Sequence, residues 1–226
     1  MLKYILGLAF FCLVFLPEKG IAQWSSPPII LGADHRIPID SLDTDGNGAV
    51  DIEAPGHYYL RENLMVNSPS GSGILIDSDN VNIDLNGYAI LAGQNEPNDG
   101  IRVLGGHNNI TIKNGSIIGF DQYGIDAIAT KSSTFRNLLV KDNGFDGIIV
   151  DYDCLIVHCT ALNNGRDGIE ADDGSIIRDC TAAFNEGNGI EAGDGCLVFN
   201  CMAYGNGLDG IDVDNAVRVE GCTAHD

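Results

Sequence analysis

Gly147, Gly168, Gly189 and Gly210 are each followed by isoleucine (Ile148, Ile169, Ile190 and Ile211), and the spacing is 21 residues every time. Cys159, Cys180, Cys201 and Cys222 keep the same interval, as do Ala161, Ala182, Ala203 and Ala224, and Asn143, Asn164, Asn185 and Asn206. Upstream the register loosens to Gly124-Ile125, Gly100-Ile101 and Gly73-Ile74, at intervals of 23, 24 and 27, and the extra residues are expected in one turn. A fixed period of this length marks a solenoid: one unit cannot bury its own apolar side chains and does so by stacking on its neighbours.

Within the unit Gly189 to Asp209 the apolar or small residues Ile190, Ala192, Cys196, Val198, Cys201 and Ala203 alternate with polar ones. That period of two, broken by Gly-Asp-Gly and Asn-Gly, predicts two or three short strands joined by corners, and no helical period competes with it. Stacking pairs every strand with its counterparts about 4.8 Å above and below. The expected fold is all-β, a single-stranded parallel β-helix of about seven recognisable coils. The 29 glycines and a charged fraction of only 19% set aside a coiled coil or helical bundle, and the 44% hydrophobic content suffices for a core.

The Gly-Ile repeats, the stretch from Asp79 to Gly87, the stretch from Asn109 to Gly115, and the opening Pro55-Gly56-His57-Tyr58-Tyr59-Leu60 resemble secreted right-handed parallel β-helix proteins of the pectin-lyase-like kind. The resemblance covers roughly residues 50 to 226 and implies right-handed coiling, which spacing alone does not show. It implies a polysaccharide or cell-surface glycan as partner, but that family includes lyases, hydrolases, uronate epimerases, adhesins and proteins with no known reaction, and a fold does not choose among them. Asp172-Asp173 is similar to the paired aspartates of polygalacturonases. The companion Gly-His-Gly and Arg-Ile-Lys motifs are absent, as are the arginine-centred lyase motif and the Asp-Pro-His-Asp motif of alginate epimerases.

Lys3 precedes an apolar run from Tyr4 to Leu16 that ends near the small residues Gly20-Ile21-Ala22, the pattern of a secretory signal over residues 1–22. A membrane anchor is the alternative, but the run falls short of the roughly 20 residues that span a bilayer. The mature chain is therefore expected to be secreted, extracellular or periplasmic. Residues 23–56 are expected to form an N-terminal segment with an Asp-rich loop and a cap, and residues 57–226 the β-helix. His225-Asp226 falls partway through a coil, so the helix is expected either to be incomplete or to meet a partner or second copy end to end.

A formal charge of −20 argues against any electrostatic grip on nucleic acid or an anionic membrane. It turns attention to cations, neutral glycans, or polyanions bridged by cations. Two residues after each anchoring glycine come Asp126, Ile149, Glu170, Glu191 and Asp212, so three successive coils are expected to stack carboxylates on an outward row. Asp151, Asp172, Asp173, Asp194 and Asp214 lie beside that row, and Asp146, Asp167 and Asp209 on the turn before it. Glu170, Glu191, Asp212, Asp172 and Asp194 are the candidate substrate-binding residues. Like charges opposed across strands repel. Calcium, with six to eight oxygen ligands, would offset that repulsion, while the same row read simply as a solvated face keeps a solenoid soluble. Pairs such as Glu170/Glu191 or Asp172/Asp194 are spaced for glycoside hydrolysis, yet catalysis needs an acid and a base that differ, and a repeat does not display that difference. Arg166, Arg178 and Arg218 are candidate substrate contacts or plain surface charges, and Tyr152 and Phe199 are the best aromatic candidates for stacking on a sugar.

A second acidic stretch, Asp43-Thr44-Asp45-Gly46-Asn47-Gly48-Ala49-Val50-Asp51, resembles the first nine positions of an EF-hand or dockerin calcium loop. Asp43, Asp45, Asn47 and Asp51 are its candidate calcium ligands. Ala54 stands where a bidentate glutamate belongs and Pro55 follows, which speaks against a helix after the loop. A plain Asp/Gly turn is the alternative. The cysteines share the repeat interval rather than a disulfide framework and are expected as stacked thiols, although vertical neighbours lie within bridging distance. The asparagine column is expected to be a structural amide ladder.

Overall fold

The computed structural model describes residues 35–39, 49–68, 71–94 and 97–225. The expected signal segment and three of the candidate calcium ligands, Asp43, Asp45 and Asn47, lie outside the described residues.

Each coil crosses three faces. Eight parallel strands, from Val50–Ile52 to Ile211–Val213, form one sheet. Fifteen strands form a second sheet in two rows: one passes from Ile37–Pro38 through Val81–Asp84 to Arg218–Glu220, the other from Leu64–Val66 to Thr223–His225. Thr111–Ile118 and Thr134–Lys141 run straight through both rows and join them. The result is a right-handed parallel β-helix of about eight turns.

The first coil escapes a count of Gly-Ile anchors because Ala49-Val50 stands in their place, with Val50 paired to Ile74. The first rung thus begins ahead of residue 57, and strand Val50–Ile52 takes the chain where an EF-hand would continue as a helix. The extra residues of the early coils are not confined to one turn. Ile148 leads to Ile156 on the next face but Ile101 leads to Ile112; Ile156 leads to Ala161 but Ile83 leads to Ile90; Ala161 leads to Ile169 but Ile90 leads to Ile101. All three corners absorb them, because any corner can bulge outward provided the strands return to register.

Inward columns make the core. Ile74, Ile101, Ile125, Ile148, Ile169 and Ile190 are fully buried, one above another. Other columns shrink along the axis: Ile90, Ile117 and Val140 give way to Ala161, Ala182 and Ala203, so the interior narrows. All six described cysteines are free thiols and all but Cys222 are buried. Burial pushes the Cys154 thiol up to about 11, so it packs as a small apolar group.

The corner between the second row and the eight-stranded sheet is held by the asparagines. Asn143 Nδ2 donates to Asn164 Oδ1 (2.9 Å), Asn164 to Asn185 (2.9 Å) and Asn185 to Asn206 (3.0 Å), while each acceptor oxygen also takes the backbone N–H of the residue below. The anchoring glycine is required by the same ladder: a Cβ on Gly168 would lie 2.6 Å from the Asn185 amide nitrogen and 2.6 Å from the Gly189 carbonyl. Asn164→Ala strands buried donors and acceptors on both neighbouring coils. It is expected to cost about 2–4 kcal/mol, read from the urea midpoint, and Gly168→Ala is expected to be at least as damaging.

Candidate functional site

The outward row of the eight-stranded sheet reads Asp51, Leu75, Arg102, Asp126, Ile149, Glu170, Glu191 and Asp212, each in register with the next. Glu170, Glu191 and Asp212 are brought together as the repeat implied. Asp51 sits at the far end of the row, exposed. Arg102 breaks the acidity there, lying 3.3 Å from Asp126 and 3.7 Å from the buried Asp99.

Two residues before each anchoring isoleucine lies a second column: Asp99, Tyr123, Asp146, Asp167, Asn188 and Asp209. Its side-chain oxygens accept the backbone N–H of the coil above. Asp99 takes Tyr123 N (3.2 Å), Asp146 takes Asp167 N (2.8 Å), Asp167 takes Asn188 N, and Asn188 takes Asp209 N (3.0 Å). The repeat exposed this column, but nothing in the repeat told an acceptor of backbone N–H from a free carboxylate.

Where the two columns meet, Asp146, Asp167 and Glu170 each place a carboxylate oxygen within 4.8 Å of the other two. Asp146 is 0% exposed, Asp167 is buried and Glu170 half-buried. Burial, then the charges of Asp146, Glu191 and Asp167, push the Glu170 carboxyl up to about 7, and Arg166 only partly opposes them. Burial also raises Asp146, against the pull of the Asp167 backbone N–H and of Arg166, whose Nη1 lies 3.4 Å away. Asn188 Nδ2 donates to Glu191 Oε2 at 3.0 Å. Tyr123 and Phe145 pack edge to face at 5.3 Å on the same corner, and Phe145 is exposed.

This arrangement has two chemical capabilities. Oxygens on a calcium ion at 2.3–2.6 Å lie up to about 5 Å apart, so these three carboxylates are a group that could hold one ion, with other positions left to water or a ligand. A carboxyl raised to about 7, as that of Glu170 is, is also a competent proton donor near neutral pH.

The other candidates fall elsewhere. Asp172 packs with Asp151 and Asp173, and burial followed by those charges raises its carboxyl. Asp194 stacks on Asp173 rather than on Asp172: Asp173 Oδ1 accepts Asp194 N at 2.9 Å, and Asp194 Oδ1 accepts Asn215 N at 2.8 Å. Arg178 and Arg218 pair with their neighbours Asp179 and Glu220. Tyr152 carries Lys131 over its ring at 4.9 Å, and Phe199 is only partly exposed.

A family model described as a right-handed β-helix region matches residues 48–196. No curated protein matches the chain. Among solved structures, the enzymatically active domain of tailspike protein 2 of bacteriophage CBA120 is similar, with a TM-score of 0.57 and 15% identity. The match covers 78% of this chain but only 37% of that one, and at this identity the likeness is one of fold.

A carboxyl whose folded pKa lies above its unfolded value binds more protons in the native state between the two values, so stability falls as pH rises through that window. For Glu170 the window runs from the ordinary 4.5 to about 7. In chelator the melting temperature is expected to drop between about pH 4.5 and pH 7, and Glu170→Gln, which stays neutral throughout, is expected to flatten that drop.

Proposed function

Because the chain belongs to the right-handed β-helix family, we propose that it binds a polysaccharide along the corner and outward row running from Arg102 to Asp212, with calcium aiding capture of an acidic chain. The observation that carries this reading is the convergence of Asp146, Asp167 and Glu170, with Arg166 and the Tyr123–Phe145 pair beside them. Carboxylates, an arginine and an exposed aromatic ring are the groups that recognise sugar hydroxyls, uronate carboxylates and pyranose faces. In this reading the mature chain works outside the cytoplasm, where calcium is abundant. Asp146, Asp167 and Glu170 would hold the ion, which supplies positive charge to a uronate. With the ion absent Glu170 keeps its proton up to about 7 and is the group placed to donate it to a bound glycan.

A scaffold reading draws on a different observation: Asp146 and Asp167 already serve the backbone of the coil above. Calorimetry separates the two. Calcium binding to the purified chain is expected to release protons near pH 7, because the ion displaces the Glu170 proton, and to raise retention on immobilised polygalacturonate. Glu170→Gln should abolish the proton release and weaken retention about ten-fold. Absence of calcium binding together with absence of retention would leave the carboxylates as a solvated face and the chain as a scaffold.

A further inference from the structure

The asparagine corner carries a second column whose backbone is left-handed on four successive coils: Asp142 (φ 58°), Asn163 (φ 52°), Phe184 (φ 57°) and Gly205 (φ 63°). Aspartate, asparagine and glycine are the residues that tolerate this conformation, whereas a bulky aromatic is strained in it. Phe184 is nonetheless 56% exposed, so burial of its ring does not account for its presence. A Cβ on Gly205, itself left-handed, would lie 2.9 Å from Cδ1 of that ring. Tyr204 packs against it edge to face at 5.2 Å, and His225 stacks on Tyr204 at 5.8 Å.

Below the ring in the same column, Asp142 and Asn163 line an open groove of about 480 Å³, with Gly144 and Gly165 in its floor and Asp121 and Glu186 on its walls. Glycine is required there because the coils approach so closely: a Cβ on Gly165 would lie 2.2 Å from the Gly144 carbonyl. Lys141 pairs with Asp142 at 2.9 Å, and Asn163 Nδ2 donates to Asp142 Oδ1 at 3.3 Å. The walls therefore offer carboxylate and amide oxygens, acceptors for hydroxyl groups, in a setting that repels anions.

We propose that the exposed ring of Phe184, braced edge to face by Tyr204, stacks on a pyranose ring and that the adjoining groove receives the hydroxyls of the next residue of a neutral glycan. The site lies at the end of the corner away from Asp146, Asp167 and Glu170. It takes its ligand class from the function proposed above but requires no cation. Apolar sugar faces stack on aromatic rings, and a strained, exposed ring is what a binding role maintains against stability.

The test is binding of the full chain, in chelator, to an array of neutral oligosaccharides of glucose, galactose, mannose and N-acetylhexosamines, followed by calorimetry on the best binder. Phe184→Asn substitutes the residue that the coil below uses at the same φ. It is expected to hold or raise the melting temperature while weakening binding about ten-fold, and Phe184→Tyr is expected to retain binding. Undiminished binding by Phe184→Asn overturns the proposal, as does a fall in melting temperature that Phe184→Tyr restores without any neutral glycan being bound. A wild-type chain that responds to calcium but binds no neutral glycan overturns the platform alone. A chain that binds neutral glycan but ignores calcium overturns only the cation-assisted reading.

Discussion

Backbone amides at the corners of this molecule find their partners one coil away: Gly147 donates to Asp167, Gly168 to Asn188 and Gly189 to Asp209, each at 2.9 Å. With strands about 4.8 Å apart, that bonding forces equivalent residues into columns, so every side-chain choice is repeated against itself. Isoleucine repeated this way is a dry core. Asparagine is a chain of amide bonds, because an amide both donates and accepts. A carboxylate only accepts, and its column must find protons, cations or backbone N–H groups from elsewhere.

The molecule meets that requirement unevenly. Asp146 and Asp167 take backbone N–H groups, Asn188 interrupts the charge, and Arg166 lies against Asp146. Glu170 and Glu191 stack with less help, and Glu170 retains its proton up to about 7. An exposed stripe of like charge becomes, at one place, a half-buried group poised between two protonation states. That asymmetry comes from a change within the column: Asp146 and Asp167 both stand beside Glu170, whereas Asn188 occupies the equivalent place beside Glu191 and donates to it.

The same physics decides what the primary structure disclosed. Columns are written directly into it, so the coil, the register of Glu170 with Glu191 and Asp212, and the amide ladder were legible from spacing. Relations between columns were not. Asp172 and Asp194 are close in the pattern but belong to different stacks, and Asp146 meets Glu170 only because the corner folds one column toward another. The significance of Phe184 also lay beyond spacing, since the left-handed conformation of its column is a property of the folded corner. The first coil was missed because Ala49-Val50 replaces the usual anchor. The loop with Asp43, Asp45 and Asn47 lies outside the described residues, so its reading stands where the sequence left it.

A solenoid of interchangeable turns faces an ambiguity that an ordinary domain does not. If every coil had the same length and the same columns, a chain could stack out of phase by one full coil and satisfy nearly all its bonds. In the later coils, where Ile148, Ile169, Ile190 and Ile211 are related by identical steps, little opposes such a slip. The earlier coils differ from one another at all three corners, so only one phase closes them. The irregular part of the molecule thus fixes the phase in which the uniform coils can stack.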